Sequence, residues 1–175
     1  MDIDKLFDGM AKAEIFGRGN YMSEGLYIVE TKNLFVKDGF KGKSFVAEFT
    51  IVESNNEKHA VGTSGSWVLK FTWPATFGHI TKFVTALLGY DPNQKANQDD
   101  PKIRKQVELV TRAACGSDAA KKELGPDGYE EGMLNGIRLR LECSMQKTAP
   151  KPGKPEGGDF TSYAWSPIAP EADAA

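Results

Sequence analysis

Apolar residues at Ile3, Leu6, Phe7 and Met10 fall at i, i+3, i+4, i+7, the stripe of a short amphipathic helix over residues 2–13. Two glycines within Phe16-Gly-Arg-Gly-Asn-Tyr21 then interrupt the chain. From Gly25 the character becomes β-branched and aromatic. Leu26-Tyr-Ile-Val29 and Leu34-Phe-Val36 predict one long, bent first strand, followed by the turn Lys37-Asp-Gly-Phe-Lys-Gly-Lys43. In the second strand Phe45, Ala47, Phe49 and Ile51 alternate with Val46, Glu48, Thr50 and Val52. Period two with one apolar face describes a sheet packed on one side and wetter on the other. Trp67, Leu69, Phe71 and Trp73 alternate in a third strand that Pro74 stops.

The period then changes. Thr76 is placed as an N-cap, Phe77, Ile80, Phe83, Val84, Leu87 and Leu88 form a helical stripe, and Gly89 ends it. Asp91 to Asp100 reads as a polar loop. Pro101 opens a second helix carrying Ile103, Val107, Val110 and Ala114, and Ser117 caps a further short helix up to Leu124. Period two returns with Ile137, Leu139, Leu141, Cys143 and Met145 on one face and Arg138, Arg140, Glu142, Ser144 and Gln146 on the other. A Pro/Gly/Lys loop from Thr148 to Gly158 leads to a last strand, Phe160-Thr-Ser-Tyr-Ala-Trp165.

The expected fold is therefore β with a helical insertion: a five-stranded OB-fold barrel in the order α-β-β-β-α-α-β-β. An SH3-like barrel lacks so large a helical connection, and a sandwich needs more strands. Residues 1–20 form an N-terminal helix and linker, 21–168 the barrel domain with the insertion at 74–128, and 169–175 an acidic, disordered tail. No internal repeat is visible.

The 175 residues suit one domain. A formal charge of −2 conceals an uneven distribution. Residues 32–105 hold eleven basic and seven acidic side chains, and residues 106–155 eight and seven. Residues 1–31 hold three and six, and residues 156–175 none and four. A basic middle recruits anionic partners. The two cysteines, Cys115 and Cys143, form no Cys-x-x-Cys pair, which excludes a disulfide scaffold and a Cys-rich zinc site. With no apolar run near the ~20 residues of a membrane helix and no basic-then-apolar start, the expectation is a cytoplasmic protein without a membrane partner.

Catalytic signatures are sparse. There is no P-loop, and Gly17-Arg-Gly19 lacks the third glycine of a dinucleotide fingerprint. His59 and His79 have no second ligand at helical or turn spacing, so no metal site is expected. Asp91, Asp99 and Asp100 lack EF-hand spacing, and Asp99 or Asp100 suits a helix cap. Neither cysteine has the basic neighbours of a reactive thiolate. No catalytic residue and no cofactor is assigned.

A binding surface is better supplied. OB barrels bind oligonucleotides on the face of strands two and three, between the loops joining strands one to two and four to five. Here the first of those loops carries Lys37, Lys41 and Lys43 around Phe40, and the second carries Lys147, Lys151 and Lys154. Lys70 projects from strand three, and Arg138 and Arg140 from strand four. Lysines supply a track for phosphates, and flat rings supply stacking surfaces for bases. Phe40 and Tyr27 are the candidate stacking rings. Tyr27, Tyr163 and Trp165 fit either a core or a stacking platform, whereas Phe45, Phe49, Trp67, Phe71 and Trp73 stand at core spacing.

Gly25-Leu-Tyr-Ile-Val29, Lys41-Gly-Lys-Ser-Phe-Val-Ala-Glu-Phe-Thr-Ile-Val52, Lys82-Phe-Val-Thr-Ala-Leu87, Gly136-Ile-Arg-Leu-Arg-Leu141 and Phe160-Thr-Ser-Tyr-Ala-Trp165 resemble small bacteriophage replication and recombination proteins. The resemblance implies an OB fold that binds single-stranded DNA without strong sequence preference, in the host cytoplasm. It also implies contacts with replication or recombination proteins through an acidic tail. The end, Asp173-Ala-Ala175, departs from the bulky apolar terminus of bacterial single-strand binding proteins. The helical insertion is longer than a minimal barrel carries and suits homo-oligomerisation. The competing expectation is a non-enzymatic adaptor or structural module that uses the same barrel through the basic helix Lys102 to Arg112; a third is a nuclease using the three aspartates.

Overall fold

The computed structural model describes residues 22–40 and 42–168. The helix expected over residues 2–13, its linker, Lys41 and the acidic end 169–175 lie outside the described residues. Within them the chain forms β1 (Gly25–Gly39), β2 (Gly42–Ser54) and β3 (Ser64–Lys70), then helices α1 (Thr76–Leu87), α2 (Lys95–Asp99), α3 (Pro101–Ala114) and α4 (Asp118–Leu124), then β4 (Arg138–Lys147) and β5 (Asp159–Pro167).

The five strands form one antiparallel sheet in the order β3-β2-β1-β4-β5. The closed barrel is not formed, because among the described residues β3 and β5 share no hydrogen-bonded ladder. Their edges meet instead through side chains. Trp67 of β3 lies 5.7 Å from Tyr163 and 5.2 Å from Trp165 of β5, centroid to centroid. Rings of that size between two strands hold their backbones beyond the ~4.8 Å spacing of a ladder.

α1 closes this inner face. Ile80, Phe83, Val84 and Leu87 recur at helical spacing and are all buried. Phe83 sits 4.7 Å from Trp165, 5.4 Å from Trp67 and 6.4 Å from Phe45. Burying each such ring contributes roughly 1.5–3 kcal/mol, and the edge-on arrangements add to it. α3 packs Val107 and Val110 on the same core, while Leu109 and Ala113 join Ala120 of α4 in a small satellite cluster.

β1 serves two neighbours, pairing with β4 from Gly25 to Glu30 and with β2 from Tyr27 to Gly39. Its register shifts between Ile28 and Val29 and again between Thr31 and Asn33, where Lys32 has no opposite number. Tyr27, Val29 and Thr31 are buried before the second shift, and Leu34 after it. The inward positions thus change from odd to even at Lys32, as a β-bulge requires. Thr31 anchors the bulge, its hydroxyl donating to the Leu134 and Ile137 carbonyls.

The structure corrects several sequence expectations. β3 stops at Lys70 and the chain turns before Trp73, whose N–H donates to the Lys70 carbonyl at 3.0 Å. Trp73 is consequently 48% exposed rather than a core residue. Thr76 does not cap α1; the N-cap is Ala75, and the Thr76 hydroxyl donates back to the Lys70 carbonyl. Phe77 leaves the helical stripe, exposed and paired with Phe71. The Asp91–Asp100 loop contains α2. Asp100 caps α3 by accepting from the Lys102 and Ile103 amides, and Ser117 caps α4.

Candidate nucleic-acid interface

The bulge at Lys32 decides which basic side chains share a face. Residues directly opposite in an antiparallel pair point the same way. Beyond the bulge, Lys37 stands opposite Ser44, and Ser44 opposite Lys70, in one row across β1, β2 and β3 on the outer face. The next outer row is apolar: Phe35, Val46 and Val68. Asn33, Glu48 and Ser66 follow. Two lysines thus border a shallow apolar strip on the β2–β3 face.

The β1–β2 hairpin turns between the paired Gly39 and Gly42. Gly42 has φ +100°, a conformation that a side chain disfavours. Phe40 at this tip is fully exposed. Lys43 does not join the Lys37–Lys70 row. It lies opposite Asp38 on the other face of the hairpin and forms an exposed ion pair with it at 3.8 Å.

At the end of β3 the Lys70 ammonium lies 5.8 Å from the centre of the Trp73 ring, a cation–π arrangement. Trp73 is one wall of a cleft of about 500 Å³ between the free edges of β3 and β5. Phe160, 44% exposed, stands on the β5 side, and Trp67, Leu69 and Tyr163 line the interior. His79 and Thr161 also line it, and among the described residues no carboxylate does.

Beyond this cleft, β4 and β5 continue as a two-stranded ribbon past the last β1 partner, with Ser144–Lys147 paired to Asp159–Ser162. The ribbon ends in an ordered loop. Thr148 accepts the Gly158 amide on its hydroxyl at 2.7 Å, and its own amide donates to the Gly158 carbonyl at 2.8 Å. Lys151-Pro-Gly-Lys154 forms a tight turn with both Lys151–Lys154 backbone bonds made and Gly153 at φ +84°. Lys147, Lys151 and Lys154 are exposed, and among the described residues no carboxylate pairs with them, with Lys70 or with Arg140.

The strand-four arginines lie elsewhere on the outer face. Arg138 shares a row with Glu30, Thr50 and Ser64, six residues along β3 from Lys70, about 20 Å at strand rise. Its Nε donates to Glu30 Oε2 at 2.9 Å. Arg140 stands beside Ile28 and Ser166. Both stand on the same outer face as the β2–β3 strip but outside the Lys37–Lys70 row. Tyr27 is a core residue and offers no stacking surface: it is 2% exposed, and its hydroxyl donates to the Ser23 carbonyl at 2.8 Å. Burial raises its phenol above the ordinary 10.

Of the expected site residues, the structure therefore brings Lys37 and Lys70 together and sets the Lys147–Lys154 loop beyond the cleft. Lys43, Arg138, Arg140 and Tyr27 are separated from them. Sequence reasoning placed Trp73 in the core and gave Phe160 no part in the site. The signal for Trp73 was available in Pro74, which forces the chain out of the sheet close to that ring.

The remaining chemical groups do not converge. Among the described residues no group of three or more His, Cys, Asp or Glu side chains is placed to hold a metal. Asp91 accepts the Asn93 amide, and Asp100 is used as the α3 cap. Burial pushes Cys115 up to about 11 and Cys143 up to about 12. His59 Nε2 accepts the Ser23 amide at 2.9 Å, the role of a neutral ring. A second cavity, of about 740 Å³, separates α1 from α3, with Phe71, Phe77 and Ile80 inside it and Arg104, Glu108 and Arg112 also lining it. No helix of the described residues is long and apolar enough to cross a membrane. No protein-family model and no curated protein matches the sequence.

Proposed function

We propose that this chain binds single-stranded DNA on the outer β2–β3 face, without strong sequence preference and without catalysing a reaction on it. The observation that carries the reading is the register row Lys37–Ser44–Lys70, flanked by the apolar strip on one side and the Lys70–Trp73 pair on the other. A strip with cations at its border and rings at its ends suits a strand whose phosphates are neutralised while its bases stack.

The strand order supports an OB-type reading. β1 lies between β2 and β4, the helices fall between β3 and β4, and the OB-fold is itself a partly open barrel. Its ligand face is that of strands two and three, where the Lys37–Lys70 row lies. A role in bacteriophage replication or recombination, a place in the host cytoplasm, partner proteins at the acidic end and self-association belong to the same proposal, through the family resemblance.

A mobility-shift comparison of single-stranded DNA, duplex DNA and RNA at two salt concentrations tests it. Affinity for oligo-dT is expected to fall with salt at a log–log slope of roughly −0.7 per phosphate contacted. Salt-independent affinity, or equal binding of duplex, refutes the proposal. Incubation with labelled DNA and Mg²⁺ is expected to give no cleavage.

The cavity between α1 and α3 favours a second reading, a protein-binding adaptor using the helix Lys102 to Arg112. Alanine at Lys37 and Lys70 separates the two. DNA binding by the unaltered chain that is lost in the folded variant supports the first reading; no DNA binding by the unaltered chain, with function unchanged in the variant, supports the second.

A further inference from the structure

We infer that the cleft between β3 and β5 is a nucleobase slot, which takes bases unstacked from a strand lying on the β2–β3 face. This rests on the proposed single-stranded DNA reading and adds where the bases go. Four features of the cleft carry it.

First, it is walled by two aromatic rings that the fold leaves half-exposed, Trp73 at 48% and Phe160 at 44%. Large rings left half in water on opposite sides of one cleft retain apolar surface for a flat guest. Second, among the described residues both flanking strands are sheet edges: β3 forms its ladder with β2 and β5 with β4. A strand edge presents alternating N–H donors and C=O acceptors, which suit the mixed donors and acceptors of a base edge. Third, among the described residues the lining holds no carboxylate, and a cation stands at one approach, Lys70 beside Trp73. A phosphodiester passing that end is neutralised there. Fourth, a volume of about 500 Å³ falls within the ~300–1,000 Å³ of small-molecule sites.

The same geometry explains the preference for a single strand. A base inside a duplex is stacked and paired, and its extraction costs a few kcal/mol that an unpaired strand does not incur.

The test uses the full chain and oligo-dT carrying 5-iododeoxyuridine at single positions, photo-crosslinked and mapped by mass spectrometry. Crosslinks at Trp73 or Phe160 are expected. Trp73→Ala and Phe160→Ala are each expected to weaken oligo-dT binding by roughly 5- to 100-fold, and one abasic position is expected to weaken binding to the unaltered chain more than to these variants. An oligonucleotide that binds tightly but crosslinks only at Phe40 or the Phe35–Val68 strip overturns the slot while leaving the single-stranded DNA reading intact. No oligonucleotide binding at all overturns both. Where a variant fails to fold, the crosslink map on the unaltered chain decides. Concentration-dependent protection of the Val68 amide without DNA would mean that a strand of a second copy fills the cleft, and would also overturn the slot.

Discussion

Arg138 and Glu30 are 108 residues apart in sequence and directly opposite in the sheet, joined at 2.9 Å from Nε to Oε2. The pair closes the first β1–β4 row and neutralises an arginine that sequence alone offered to DNA. Both side chains remain substantially exposed, so the bond adds little to stability. Arg138→Ala is expected to change unfolding free energy by less than about 1 kcal/mol and to lower oligo-dT affinity far less than Lys70→Ala. Urea melts and mobility shifts on the two variants check this.

Lys37 and Lys70 share a face that Lys43 does not. Alanine at both Lys37 and Lys70 is expected to flatten the log–log salt slope by about 1.4, two phosphate contacts at roughly 0.7 each. Lys43→Ala is expected to leave the slope unchanged. Fluorescence titrations across a salt series measure both, and equal effects would break the assignment of faces.

His59 gives the fold a pH dependence. Burial first, and the neighbouring Lys58 charge second, hold its ring below the ordinary 6.5. The unfolded chain therefore takes up a proton at a higher pH than the folded one. Stability from this group is complete above about 6.5 and falls as the pH drops towards the folded value. Protonation also removes the acceptor for the Ser23 amide. Melting temperatures should decline from about pH 7.5 to about pH 5, and His59→Gln should reduce that decline.

Gly65 is buried on the inner face of β3, where an added Cβ would run into the Phe49 ring and crowd Met22 Sδ. Phe49 is itself buried and held against Trp165 at 6.0 Å. Gly65→Ala is expected to destabilise by about 1–3 kcal/mol through overpacking, read by urea denaturation.

Thiol chemistry should be silent in the folded state. With Cys115 pushed up to about 11 and Cys143 to about 12, little thiolate exists at neutral pH. A chromogenic disulfide reagent should label both cysteines slowly until denaturant is added.

How far the sequence revealed this arrangement follows from where local pattern decides the outcome. Alternation in 45–51 and 137–143 gave the inner faces of β2 and β4, because each strand keeps one phase through its core. The α1 stripe from Ile80 to Leu87 and the Asp100 cap were equally plain. Trp73 continued the odd-numbered alternation of β3, yet the chain had already turned, bonding back to Lys70. Tyr27 and Lys37, both odd-numbered in one strand, looked equivalent and point in opposite directions. Pairing between distant segments also escaped local pattern, which is why Arg138 read as free and the β3–β5 edges read as joined.

The unpaired Lys32 reaches further than its own position. If β1 ran through that position without a bulge, its phase would send Phe35 and Lys37 inward and Leu34 and Val36 out to water, while the Tyr27–Val29 end kept its place beside β4. Deleting that one codon would instead leave every side chain on its present face, so the extra residue is what lets an odd-numbered core at one end and an even-numbered core at the other belong to a single strand.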